Sequence, residues 1–321
     1  MPRINRRFLM QTAGAALALP GLMVRAAHAL DMSAVKAPAF SRYSLGAFEI
    51  TSLSDGHRLV PDPQSIFGTN QSKETVEALL DANLLPRDQM QFTFAPTLVN
   101  TGTDLILFDT GNGEGGREGG VGHMLANLRA SGYSPDQVTL VVVSHCHPDH
   151  IGGLTEGGQP AFPNARYAVG QAEYAFWTDS ARTGTPAEGV AKMVAAKVTP
   201  FADKTAFFGD ASTVAPGVTA ALAPGHTPGH AVFRIESGGK SLMLTADTAN
   251  HFVLSLQNPD WEVRFDADKA AAAASRRKVF DMIAADRIPF IGYHMPFPSV
   301  GYVERVGTGY RFVPESYQLD L

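Results

Sequence analysis

A single cysteine, Cys146, is all the thiol chemistry in this chain of 321 residues. One cysteine cannot close an intramolecular disulfide, so neither a disulfide framework nor a redox compartment can be read from it. Positive charge is scarce as well. Lys and Arg number 26 against 31 Asp and Glu, and four of the arginines fall in residues 1–29, which hold no acid. Without that stretch the balance is 22 basic to 31 acidic residues. Such a chain lacks the basic face that nucleic acid or an anionic membrane needs, so neither is expected as a partner. After residue 29 no apolar run approaches the ~20 residues that cross a bilayer. There is no internal repeat and no break in composition. What remains, 45% hydrophobic and 18% charged, has the balance of a chain that folds around a core.

Residues 1–29 read as an export signal. Arg3, Arg6 and Arg7 lead into an apolar stretch from Ala13 to Val24, and Ala27 and Ala29 supply the small residues of a cleavage site. Arg6-Arg7 followed by Phe8-Leu9-Met10 resembles a twin-arginine signal. The apolar run is about 12 residues, too short for a membrane anchor. The expectation is a periplasmic protein, with residues 1–29 removed and residues 30–321 forming one domain.

Within that domain Phe48–Leu53 alternates as a strand. The stretch Leu59–Ala95 is rich in Pro, Gln, Asn and Asp, with one helical pattern near Glu74–Leu80. A connection of this length is either a pocket wall or a surface excursion. Thr97–Asn100 and Asp104–Phe108 read as a hairpin. The glycines from Gly111 to Gly122 lack the lysine of a phosphate-binding loop and read as a flexible loop. Met124–Ala130 is a helix, and Leu140–Val143 is a short apolar strand of the kind buried on both faces. Strands near Val218–Leu222, Ala231–Ile235 and Ser241–Leu244 and a helix over Asp268–Ala284 complete a layered α/β domain.

Directly after the buried strand comes Ser144-His145-Cys146-His147-Pro148-Asp149-His150-Ile151-Gly152-Gly153. His145 and His147 are two apart, so in extended chain they face one side while Cys146 faces the other. Asp149 and His150 follow where Pro148 and the glycines turn the chain, and can face a second ion. Imidazole and carboxylate together suit Zn, Mn, Fe or Co rather than Ca or Mg.

This His-x-His-x-Asp-His run with its Gly-Gly resembles the signature of the metallo-β-lactamase superfamily. His226 in His226-Thr227-Pro228-Gly229-His230, Asp247 in Leu244-Thr245-Ala246-Asp247-Thr248, and His294 in Ile291-Gly292-Tyr293-His294 resemble its remaining ligand positions. Gly46–Thr51 with Ser54-Asp55-Gly56, and the tail Gly309–Pro314, are similar to the branch containing methyl parathion hydrolase and related lactonases. The resemblance implies an αββα sandwich, often a homodimer, that holds two divalent metal ions, zinc first. His145, His147 and His226 would hold one ion, Asp149, His150 and His294 the other, and Asp247 would bridge them. It further implies a hydrolase in which a bridging hydroxide opens a lactone or ester, with Asp149 and Asp247 as the catalytic carboxylates. Organophosphate triesters are the alternative substrate. β-Lactams rank lower, because the β-lactamases proper lack an Asp at the bridging place, and so does a non-catalytic periplasmic metal-binding protein.

Other residues carry two readings each. His230 orients the His226 loop or packs a turn. Asp109 supports a ligand histidine, as the resemblance implies, or caps a turn. His251 faces substrate or solvent, and Trp177 lines the pocket or fills the core. Cys146 is read as a buried thiol, and His57 and His123 as ordinary loop residues.

Overall fold

The computed structural model describes residues 38–321, so the export-signal reading lies outside the described residues. Among the described residues no helix is long and apolar enough to cross a membrane.

The chain opens with β1 (Phe40–Leu45) and β2 (Phe48–Leu53), an antiparallel hairpin turned at Gly46. That turn has φ +58°, and a Cβ there would meet the Ser237 carbonyl at 2.3 Å, so only glycine fits. Next come β3 (Gly56–Pro61), α1 (Lys73–Ala82) and β4 (Gln89–Phe94). β5 (Thr97–Asn100), β6 (Leu105–Phe108), α2 (Met124–Ala130) and β7 (Leu140–Val143) lead to the histidine segment. α3 (Pro148–Ile151), the small pair β8 (Thr155–Glu156) and β9 (Gln159–Pro160), β10 (Arg166–Gly170), α4 (Gln171–Thr178), α5 (Glu188–Lys197) and β11 (Thr205–Phe208) complete the first half. The second half holds β12 (Thr213–Ala215), β13 (Val218–Leu222), β14 (Ala231–Ser237), β15 (Lys240–Ala246), α6 (Leu254–Gln257), α7 (Lys269–Asp286), β16 (Phe290–Gly292), β17 (Val300–Val306) and β18 (Gly309–Pro314).

Two seven-stranded sheets result, β1-β2-β5-β6-β7-β10-β11 and β12 through β18 in order. Their inner faces meet in one apolar cluster that joins Ile50, Val99, Ile106 and Val142 to Val218, Phe233, Leu244 and Ile291. Helices cover the outer faces. Leu125 and Leu128 of α2 and Val194 of α5 pack on Val141 and Val143 of the first sheet. Val279, Phe280 and Ile283 of α7 pack on Val232, Met243 and Phe290 of the second. This is the four-layer αββα sandwich. β7 lies parallel between β6 and β10, which is why all four of its residues are apolar and buried. α7 starts at Asp268, whose side chain accepts from the Ala271 N–H, and ends at Arg287 in the left-handed region.

Two segments differ from the sequence reading. The Leu59–Ala95 stretch is not a plain connection, because β3 and β4 pair as a separate two-stranded sheet, with Arg58 opposite Phe92 and Val60 opposite Met90. Met90, Phe92 and Phe94 alternate onto one face and form a fourth apolar cluster with Ile66, Phe67, Val76 and Leu80. The glycine loop is packed rather than open. A Cβ on Gly113 would meet the Gly152 carbonyl at 2.2 Å, and one on Gly153 the Thr110 carbonyl at 2.1 Å. The glycines of the two loops are there so that two backbones can touch. The buried carboxylate of Asp55 secures this loop by accepting from the N–H groups of Asn112, Gly122 and Met124.

Candidate metal centre

Each candidate ligand follows the carboxyl end of a strand or lies just beyond one, the place where layered sheets leave their loops free to bind. His145 comes two residues after β7, and Pro148 at the first turn of α3 swings Asp149 and His150 back toward it. His226 follows β13, His294 follows β16 and Asp247 directly follows β15. At Asp247 the backbone is bent on purpose. The β15–β16 register shifts between Leu244 and Ala246, and Ala246 sits at φ +42°, which turns the next side chain inward.

All seven predicted residues converge. The ligand atoms of His145, His147 and His226 lie within 4.8 Å of one another, and so do those of His145, His150 and Asp247 and those of Asp149, His150 and His294. Asp247 is central. Its Oδ1 is 3.2 Å from His150 Nε2, while its Oδ2 is 3.2 Å from His226 Nε2 and 3.1 Å from His294 Nε2. Asp149 Oδ2 is 3.6 Å from His150 Nε2 and 3.4 Å from His294 Nε2. His147 Nδ1 and His226 Nε2 are 2.9 Å apart.

At four of the five histidines the outer ring nitrogen is tied down, which fixes the tautomer and aims the other nitrogen inward. His150 Nδ1 donates to Asp109 Oδ2 at 2.8 Å, His226 Nδ1 to Asp266 Oδ1 at 2.9 Å and His294 Nδ1 to the Thr93 carbonyl at 2.7 Å. His145 Nδ1 lies 3.1 Å from Ser144 Oγ. Asp109 therefore does hold a histidine, from a left-handed backbone at φ +60°. His230 ties the base of the His226 loop and reaches the Asp247 loop as well. Its Nδ1 donates to the Ala223 carbonyl and its Nε2 accepts from the Asp247 N–H, each at 3.1 Å.

The electrostatics favour a cation. Burial first, then the neighbouring imidazoles, lower the pKa of His145 and His147 well below the ordinary value. Burial also opposes charge on His150 and His226, yet the carboxylates outweigh it, raising His150 well above the usual value and His226 to about 9. Burial pushes Asp247 up, but His294 and His150 outweigh it and hold the carboxyl well below the usual range. A field that retains protons on buried imidazoles is a field that attracts metal. His145 Nε2, His150 Nε2 and Asp247 Oδ1 are buried and make no hydrogen bond. Inward-facing orphan atoms of this kind, all nitrogen or carboxylate oxygen, fit a divalent transition metal.

A cavity of about 460 Å³ opens on His147, Asp149, His226, Asp247 and His294. Its walls include Val60, Ile66, Phe92 and Phe94 from the 59–95 stretch, which is therefore a pocket wall. Phe92 stacks on His294 with centroids 4.0 Å apart and planes 17° off parallel.

Trp177 and Cys146 take the core reading offered for each, whereas His251 faces neither substrate nor solvent. Trp177 is core, donating Nε1–H to Glu173, with its ring centroid 6.1 Å from that of His147. His251 Nδ1 accepts from the N–H groups of Val253 and Leu254, which caps α6. Cys146 is fully buried, its thiol pushed well up by burial and then by the Glu173 and Asp109 carboxylates. Sequence reasoning missed Glu173, Asp266 and Arg276. Each is a buried charged residue without a motif: Glu173 follows a strand, Asp266 precedes a helix start and Arg276 lies inside α7.

Residues 96–289 match the metallo-beta-lactamase superfamily. An N-acyl homoserine lactonase from Bacillus sp is 28% identical over 151 residues, 47% of this chain and 54% of that protein. The N-acyl homoserine lactonase AttM of Azorhizobium caulinodans is 33% identical over 136 residues, 39% of this chain and 46% of that one. The chain spans about half the length of the curated relatives it matches. Among solved structures, the dizinc quorum-quenching lactonase AidC, in complex with a product, superposes with a TM-score of 0.80 at 29% identity over 87% of this chain and 98% of that chain. AbOPH, a hydrolase in the beta lactamase superfamily, gives 0.79 at 27% identity over 88% and 100%. With the αββα fold, the ligand cluster and a match over more than half its length, the chain belongs to the metallo-β-lactamase superfamily.

Proposed function

We propose that this protein is a dinuclear zinc hydrolase that opens lactones, N-acyl homoserine lactones being the leading class. The observation that carries the reading is the convergence of seven side chains around Asp247, with inner atoms left without hydrogen bonds. The similarity to N-acyl homoserine lactonases and to AidC supports the substrate class.

His145, His147 and His226 would hold one ion and Asp149, His150 and His294 the other, with Asp247 between them. Two such ions supply a water deprotonated near neutral pH and a Lewis acid for the substrate oxygen. The chain does the rest. Asp109, Asp266 and the Thr93 carbonyl keep three imidazoles in the tautomer that faces inward. The side chain of Asp149 is 21% exposed and lines the cavity. This cavity-facing carboxylate would accept the proton that the attacking hydroxide sheds once it is bonded to the carbonyl carbon, and pass it to the departing alkoxide. Val60, Ile66, Phe92 and Phe94 give the acyl part an apolar wall and keep bulk water off the reacting carbonyl.

Export through residues 1–29 and assembly as a homodimer belong to the same proposal. N-terminal sequencing of protein from the periplasm and sedimentation of the purified chain test them. The reaction is tested by incubating zinc-loaded protein with N-acyl homoserine lactones, dihydrocoumarin, paraoxon and nitrocefin. Ring-opened lactone, lost on chelation, is the expected result. Intact lactones after prolonged incubation with the loaded protein would contradict the proposal.

A further inference from the structure

Glu173, in the first turn of α4, is completely buried and is not among the metal-facing residues. Its carboxylate accepts four hydrogen bonds. Oε1 accepts from the Cys146 N–H at 2.9 Å and from Trp177 Nε1–H at 2.6 Å. Oε2 accepts from the Thr227 hydroxyl at 2.7 Å and from the Gly229 N–H at 2.9 Å. All four partners are neutral donors, so both oxygens serve only as acceptors, the pattern a carboxylate satisfies and an amide cannot.

The location of those donors gives the contact its meaning. Cys146 stands between His145 and His147, and Thr227 follows His226. One side chain therefore fastens together the two loops that carry the three-histidine position. The approach is close, since a Cβ on Gly229 would meet Glu173 N at 2.2 Å. On the other side Asp109 plays the matching part. Its Oδ1 accepts from the Ser144 N–H at 2.8 Å, and its Oδ2 accepts from His150.

We infer that Glu173 is a positioning residue for one metal ion only, setting the spacing of His145 and His147 against His226 without touching the ion. The inference rests on the dinuclear reading above. Glu173→Gln keeps the volume but points an NH2 group at two donors, so one loop is released.

The test is metal content per chain by plasma mass spectrometry after zinc loading and gel filtration, together with chelator-competition titration. Wild type should retain two ions. E173Q should retain one, with the affinity of the other position reduced ten- to a hundredfold, as removal of outer partners of metal ligands typically does. Trp177→Phe, which removes one donor but leaves both loops fastened, should retain two. Melting in EDTA separates the clamp from general stability, because a metal defect survives comparison of chelated proteins that melt alike. Should E173Q fail to fold, Thr227→Val cuts the contact beside His226, which Trp177→Phe does not touch, leaves that loop held only through Gly229 three residues on, and should weaken one ion about tenfold with the other unchanged. Two ions held at wild-type affinity by E173Q, or by T227V where it is the variant used, or equal loss of both, would overturn the inference. A wild-type protein that takes up no zinc would instead defeat the dinuclear reading.

Discussion

His226 and Asp266 are joined by a 2.9 Å hydrogen bond from imidazole Nδ1 to carboxylate Oδ1, and the other oxygen of Asp266 accepts from Arg276 at 3.1 Å. Arg276 is itself buried and also donates to the carbonyls of Thr248 and Pro259. A helix residue thus reaches the His226 ring through one carboxylate and the segment after Asp247 through one carbonyl. Asp266→Asn should loosen the His226 tautomer and weaken zinc binding ten- to a hundredfold. Arg276→Ala strands a buried carboxylate and should cost about 3–5 kcal/mol in denaturant unfolding. Wild-type zinc affinity in D266N, or wild-type stability in R276A, would count against this chain of contacts.

Cys146 lies between two predicted ligands, and its thiol is inaccessible. Ellman's reagent at pH 8 should label none of the native protein and one thiol per chain in guanidinium. Rapid labelling of the folded protein would show that the 145–147 segment is not packed as described.

His251 gives a pH dependence whose sign can be worked out. Burial lowers its pKa from 6.5 to about 4. Between these values the unfolded chain binds a proton that the folded one refuses, so stability contributed above pH 6.5 is lost as pH falls toward 4. The loss from this group is about 3 kcal/mol. His251→Asn keeps an acceptor for the Val253 and Leu254 N–H groups without the titration. In chelator-treated protein, wild type should lose more stability than H251N over that range. Parallel pH profiles would refute it.

Phe92 both lines the cavity and stacks on His294. Burial of acyl carbons is worth about 0.8 kcal/mol per CH2, so a wall of this kind should reward longer chains. Phe92→Ala should flatten the dependence of kcat/KM on acyl length, with about a tenfold loss for long chains. An unchanged length profile would remove Phe92 from the substrate site.

Much of the centre is written in the sequence because its chemistry is local. Four ligands fall within six residues after an apolar strand, and that strand's bounds, Leu140–Val143, match the structure. His226, Asp247 and His294 were reachable only through resemblance, because what unites them is the packing of two sheets. The β3–β4 pair was less obscure than it looked. Gln89-Met-Gln-Phe-Thr-Phe alternates plainly, but Pro, Asn and Asp around it suggested a loop. α4 and α5 carried no clear apolar stripe. The outer carboxylates were invisible for a different reason. Whether Glu173 or Asp266 is a solvated charge or a buried anchor depends on partners 27 to 56 residues away in the first case and 40 in the second.

The central claim is that one cage holds two ions, and anomalous diffraction at the zinc edge tests it most directly. Crystals of the zinc-loaded protein should show two peaks about 3.5–4 Å apart. One should lie about 2.0–2.1 Å from nitrogens of His145, His147 and His226, the other at like distance from His150 and His294, with Asp247 touching both. No peak among these residues, or a strong one elsewhere with the cage vacant, would contradict the account.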